Sequence, residues 1–324
     1  MEAKFYTKVE NSRKLAVICE LCPHRCLIKD GQFGICLTRY NMGGTLVAES
    51  YMQKVTAGLD PIEKKPLFHH HPGENIYSIG PNGCSLRCTF CQNSRIAQES
   101  APTSPFTIRS VLKAAEGTAG VAYTYAEPTT WIETLLNVAP MVKEAGLSNV
   151  LVTNGFVNPE PLKELLPYIN AMNVDIKGFT EDYYQQICKG RLQPVLDTCV
   201  AAHLAGVHVE ISFLLVAGQN DKDTKKLCAW IAACLGEYTP LHIQRCFPHH
   251  LMTGEPTPPN MVEKAYQQAS KILKFVYAPG HQDTLCPRCG KVMVERHGYD
   301  IKVHSRHCCG TYRFGIPTTR ETYK

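Results

Sequence analysis

Cys84, Cys88 and Cys91 stand close together in the segment Gly83-Cys84-Ser85-Leu86-Arg87-Cys88-Thr89-Phe90-Cys91-Gln92-Asn93. A cubane iron–sulfur cluster held by four thiolates has no free coordination position. One held by three leaves an iron open to a chelating ligand. A structural zinc ion wants four ligands, and this loop offers no fourth Cys or His. The C-x3-C-x2-C trio therefore reads as the seat of a [4Fe–4S] cluster with one vacant iron.

Two more sets flank it. Cys19, Cys22, Cys26 and Cys36 can ligate zinc or a second iron–sulfur cluster, since both accept tetrahedral thiolates. The spacing does not decide between them. Zinc or another structural metal is slightly favoured, because four ligands close the site. Cys286-Pro-Arg-Cys289 is half of a zinc knuckle, and a second C-x2-C is expected some fifteen to twenty residues later. Arg306 occupies that place. Adjacent Cys308 and Cys309 are expected to point apart, so Cys286, Cys289, His307 and Cys309 form the expected zinc set. Of the remaining cysteines, Cys199, Cys228, Cys234 and Cys246 read as small buried hydrophobes. His69, His70 and His71 are consecutive, and neighbours in extended chain point different ways, so one ion can hardly use all three.

These residues need elements to hold them. Short β-rich runs at Ile76–Gly80, Val121–Tyr125, Asn149–Asn154, Met172–Lys177, Val209–Val216 and Leu241–Cys246 alternate with amphipathic stretches, among them Ile108–Thr118, Thr130–Ala145, Pro161–Ile169, Glu181–Ala205 and Asp223–Cys234. Repeated strand–helix alternation predicts an α/β fold with a parallel sheet and right-handed crossovers. Six units fall short of the eight of a closed barrel, so a partial (βα)6 TIM-like barrel with Cys-rich extensions at both ends is expected. The divisions are 1–72, 73–280 and 281–324. Chemistry in such folds sits at the carboxyl ends of the strands. Polar residues gather there: Tyr123, Tyr125 and Glu127 on one strand face, Asn173, Asp175 and Lys177 on another, then Asn154, and Glu210 with Ser212.

The trio's spacing resembles that of the radical S-adenosylmethionine (SAM) superfamily. The resemblance implies that the open iron chelates SAM, and that one electron cleaves its sulfonium bond to a 5′-deoxyadenosyl radical that abstracts hydrogen from a substrate. It further implies cofactor contacts at Glu127, in Ala126-Glu127-Pro128, and at Asp175 and Lys177, in Asp175-Ile176-Lys177. Asn154 and Glu210 complete the expected cofactor set. The pattern Cys19-x2-Cys22-x3-Cys26, with Asp60-Pro-Ile-Glu-Lys-Lys-Pro-Leu67, Cys188 and Arg191-Leu-Gln-Pro-Val195, resembles the radical SAM enzymes of the AmmeMemoRadiSam system, related to pyruvate formate-lyase activating enzymes. That branch implies a reduced flavodoxin- or ferredoxin-type electron donor, oxygen sensitivity, and a substrate that is a small molecule or, as for glycyl radical activases, a partner protein.

Composition narrows the alternatives. The 324 residues are 44% apolar with net charge +5, enough for a sizeable core and too mildly basic to imply nucleic acid. No segment reaches the ~18 apolar residues of a membrane span, and the polar start lacks a secretory h-region. A cytoplasmic location follows as the expectation, where clustered cysteines bind metal before they form disulfides. Two rivals remain: a multi-cluster electron carrier without SAM binding, and a zinc-ribbon module binding RNA or protein, which leaves the central trio idle.

Overall fold

The computed structural model describes residues 1–9 and 15–309, with the backbone alone at 312–313. The rest of the expected C-terminal module, and the side chain of His307, lie outside the described residues. An eight-stranded sheet organises the chain. Its order is Thr56–Pro61, Asn75–Gly80, Gly120–Tyr123, Ser148–Thr153, Ala171–Asp175, His208–Leu215, Leu241–Arg245 and Val276–Tyr277. All neighbours run parallel except the first pair. The two edge strands do not meet, so this is the partial, TIM-like barrel expected of six strand–helix units. Thr56–Pro61 extends the sheet from within the stretch allotted to the N-terminal module.

The inner strands are nearly continuous apolar runs, as strands covered on both faces must be. Val150 and Leu151, Ala171 and Met172, and Ile211, Phe213 and Leu215 are all fully buried. Helix Ile132–Glu144 packs Leu135, Val138 and Val142 onto the sheet. The Ile108–Ala115 helix starts at a capping box between Thr107 and Ser110.

The expected long helix over Glu181–Ala205 is broken. A single turn at Glu181–Tyr183 runs into a π-turn at Tyr184–Cys188, Lys189 turns left-handed at φ 56°, and a new helix begins at Gln193. The reason is docking: the freed carbonyls of Ile187 and Cys188 accept from the N–H groups of Thr89 and Arg87, at 3.1 and 2.9 Å. A further helix, Pro259–Ala269, was not foreseen from the sequence.

The described residues before Thr56 form only strands and turns. Tyr6–Lys8, Val17–Cys19 and Leu27–Ile28 pair antiparallel, and Arg39–Met42 pairs with Thr45–Ala48. Gly43 and Gly44 form the two-residue hairpin turn, both with positive φ. A buried ion pair, Arg39 Nη2 to Glu133 at 2.8 Å, fixes this region to helix Ile132–Glu144. At the other end, Arg296 from the strand Val292–His297 donates to the Phe68 carbonyl at 2.8 Å and lies 4.2 Å above the Phe68 ring.

Candidate active site

A cavity of about 510 Å³ opens at the carboxyl ends of the strands. Cys84, Cys88 and Cys91 line one side of it, on the loop after strand Asn75–Gly80. Glu127, Asn154, Asp175 and Lys177 line the rest, each at or just beyond the end of its strand. Four of the five expected cofactor residues are thus brought to the three cysteines.

Internal hydrogen bonds set the loop's shape. The Cys84 sulfur accepts from Leu86 N–H at 3.3 Å and from Asn154 Nδ2 at 3.4 Å. Gln98 Nε2 donates to the Cys88 carbonyl at 2.9 Å. Asn93 donates to the Tyr125 carbonyl at 2.7 Å. Gly83 makes the turn into the loop possible: its φ is +92°, and a Cβ there would lie 2.5 Å from the carbonyl oxygen of Cys36. Burial pushes the Cys84 thiol well above its usual range, and for Cys88 a hydrogen bond with Cys188 acts first, then burial. Such thiols ionise when a metal cation replaces the proton. Among the described residues, Cys286, Cys289, Cys308 and Cys309 form the only set of three or more candidate ligands whose atoms all lie within 4.8 Å of one another. The central trio is wider than that, as thiolates bound to separate irons must be.

Glu127 is placed beside the cluster loop but is already occupied. Its Oε1 accepts from Thr129 N–H at 3.0 Å, Thr129 Oγ1 at 2.7 Å and Thr153 Oγ1 at 2.7 Å, and its Oε2 accepts from Asn154 N–H at 2.8 Å. It is 3% exposed. A carboxylate offers about four lone-pair positions, so this side chain ties two strand ends together, while its own N–H donates to the Gly83 carbonyl at 3.1 Å. Asp175 and Lys177 form an ion pair at 2.7 Å in the cavity wall. The Lys177 backbone is held on both sides, its N–H by Tyr184 Oη at 3.1 Å and its carbonyl by Asn220 Nδ2 at 2.8 Å.

Glu210 does not join them. It is the third residue of its strand, pairs in register with Asn173, and lies below the level of Asp175. Its fully buried carboxylate accepts from the N–H groups of Phe68 and His69, at 3.0 and 2.8 Å, and meets His208 and His242 at 2.9 and 2.7 Å. It plugs the opposite end of the barrel, so the expectation that it contacts the cofactor is corrected. The histidine run divides as its geometry requires: His69 contacts Tyr277 and His71 contacts Glu74 and Ser148, while both ring nitrogens of His70 are buried without a partner among the described residues. Tyr123 is likewise in the core, bonded to Asn149 at 2.9 Å. Tyr125, at φ 72°, leaves the strand's two-residue alternation and reaches the cavity instead.

Asp60, Lys64 and Lys65 enter the cavity from the antiparallel edge strand and the turn after it. Lys65 Nζ donates to Asp60 at 2.8 Å, as does Tyr125 Oη at 2.8 Å, and the Lys65 ammonium lies 4.7 Å from the Tyr125 ring centre. Burial alone would raise the Asp60 carboxyl, but these bonds outweigh it and hold it well below the carboxylate range. Sequence reasoning did not assign them to the site. Their only signal was the Asp60–Leu67 motif itself.

At the C-terminal site Cys308, left out of the expected ligand set, joins Cys286, Cys289 and Cys309, all within 4.8 Å of one another; the side chain of His307 lies outside the described residues. Cys309 sits at φ 55°, and this left-handed residue turns its side chain back beside that of Cys308, so adjacent cysteines converge rather than diverge. Cys199, Cys228 and Cys246 are buried as expected, whereas Cys234, at the end of its helix, is exposed.

A family model of the radical SAM superfamily matches residues 78–231. A protein of Methanocaldococcus jannaschii is 38% identical over 316 residues, covering 93% of each chain. The 7-carboxy-7-deazaguanine synthase of Thermococcus kodakarensis is 24% identical over 217 residues, 59% of this chain and 79% of its own. Among solved structures, a radical SAM methyltransferase from Sphaerobacter thermophilus shares the fold with a TM-score of 0.50 and 13% identity, covering 68% of this chain and 71% of that one. With three cysteines on one wall of the strand-end cavity, and a family match over the segment that builds it, the chain belongs to the radical SAM superfamily.

Proposed function

We propose that the protein is an enzyme that cleaves SAM reductively and uses the resulting radical to take hydrogen from a substrate. Cys84, Cys88 and Cys91 would hold a [4Fe–4S] cluster whose open iron supplies the SAM-chelating, electron-donating chemistry. The observation that carries the reading is the placement of Asp175, Lys177 and Asn154 across one cavity from a cysteine trio too widely spaced for a single ion. Lys177 offers its ammonium to a carboxylate, and Asp175 offers an acceptor to an amino group. Asn154 holds the Cys84 sulfur. Glu127 acts by positioning, through Thr153 and Asn154. Lys65, Asp60 and Tyr125 in the cavity wall are where a substrate's polar groups would bind. The cavity's partly apolar walls, Leu86, Phe90 and Leu214, limit water around a reactive intermediate. We read the Cys286/Cys289/Cys308/Cys309 quartet as a structural zinc site, because its atoms meet within 4.8 Å and use four ligands.

The test is anaerobic reconstitution with iron and sulfide, reduction with dithionite, and assay of 5′-deoxyadenosine formed from SAM. The wild type is expected to form it and Cys88→Ala to lose it. A reducible cluster that yields none from SAM would instead indicate an electron carrier.

A further inference from the structure

Cys19, Cys22, Cys26 and Cys36 line one small enclosed pocket in the N-terminal region, next to the barrel. Spacing decides what fits it, and charge agrees with an anionic, thiolate-bound group. Zinc bound by thiolates at about 2.3 Å keeps their sulfurs about 4 Å apart. The C-terminal quartet satisfies that requirement, and no other set among the described residues does. The N-terminal cysteines share a pocket wall but stand farther apart, like the Cys84/Cys88/Cys91 trio. Thiolates on separate irons of a cubane sit about 6 Å apart.

Arg39 lines the same pocket and is fully buried. Its Nη2 is committed to Glu133, at 2.8 and 3.0 Å, and its Nη1 to the Lys4 carbonyl at 3.0 Å. Its Nε has no partner among the described residues. A buried donor without an acceptor is destabilising, and an anionic sulfur-rich group in the pocket would supply the acceptor. No Asp or Glu lines the pocket, and the one His that does, His24, has its ring held by the Ser85 carbonyl at 2.8 Å.

We propose that Cys19, Cys22, Cys26 and Cys36 hold a second [4Fe–4S] cluster with every iron capped by a thiolate. Such a cluster has no vertex for SAM, so it stays distinct from the open one. The two sites share a wall, since Ser85 lines the N-terminal pocket and the adjacent Cys84 lines the cavity.

The test uses full-length protein assembled and purified anaerobically, with iron, sulfide and zinc counted per chain. The wild type is expected to hold about eight irons and eight sulfides. The triple variant Cys84→Ala/Cys88→Ala/Cys91→Ala is expected to keep about half, with a reduced-cluster EPR spectrum that SAM does not alter. Cys22→Ser/Cys26→Ser is expected to keep the other half, with a spectrum that SAM does alter. Cys286→Ser/Cys289→Ser should lose all zinc and no iron. Zinc persisting in this last variant at one per chain, or a wild type with about four irons, overturns the proposal. The wild-type count needs no variant to fold. Loss of the SAM-responsive signal alone would strike the proposed function and leave this second site standing.

Discussion

Replacing Glu127 with Gln separates a structural tie from a direct SAM contact. Two of the four donors to the carboxylate are hydroxyls that can rotate, and two are backbone N–H groups that cannot. If the amide oxygen takes the Oε1 place, Thr129 and Thr153 stay satisfied, and the new NH2 then faces the Asn154 N–H. The Asn154 N–H and the amide NH2 are both left without an acceptor, at about 1–3 kcal/mol together, and the other three bonds lose their charge assistance. The sum is about 3 kcal/mol. For a chain of this length, at about 2.1 cal/mol/K of unfolding entropy per residue, that lowers the melting temperature by about 4 °C. Burial pushes the Glu127 carboxyl up and the four bonds offset part of that push. Calorimetry of the anaerobic holoprotein measures the shift, and titration with SAM measures affinity beside it. A variant that melts with the wild type yet no longer binds SAM would refute the reasoning, because it would show a carboxylate free to hold ligand.

Other consequences follow from the same geometry. Gly83→Ala would place a Cβ 2.4 Å from Thr38 Cγ2 and 2.5 Å from the Cys36 oxygen at a left-handed φ. A loss of at least ~2 kcal/mol and a fall in bound iron are expected, and a wild-type melting curve would show that the loop does not rest on the N-terminal region. Lys177→Gln should weaken SAM binding tenfold or more, about 1.4 kcal/mol, with iron content unchanged; unaltered affinity in a calorimetric titration would remove Lys177 from the site. His70→Leu should stabilise the protein by about 1 kcal/mol near pH 7, since it removes two buried nitrogens without partners. Burial first, then His208 and His71, with Glu210 opposing, hold the His70 pKa well below normal. The unfolded chain therefore takes up a proton below pH ~6.5 that the folded wild type refuses, and stability falls with pH. The variant escapes that loss, so its advantage should widen from pH 7 to pH 5 in urea titrations; a constant or shrinking difference counts against the assignment.

The sequence alone determined whatever depends on local spacing. The C-x3-C-x2-C trio could be read because its ligands lie within one loop, and the six parallel strands because apolar runs and helical periods alternate along the chain. The strand-end positions of Asn154, Asp175 and Lys177 followed from those strands. Glu210 shows where this stops: residue type and strand face were right, but height within the barrel depends on register with Asn173, which no local pattern encodes. Cys308 and Cys309 show it again, since a single left-handed residue reverses the side-chain direction that extended chain implies. Only the tertiary structure brought Asp60 and Lys65 across to Tyr125 in the cavity wall and set Gly83 against Cys36, because those contacts join segments far apart in sequence. It also separated the wide cysteine sets from the narrow one, a difference of a few ångströms that the folded backbone imposes.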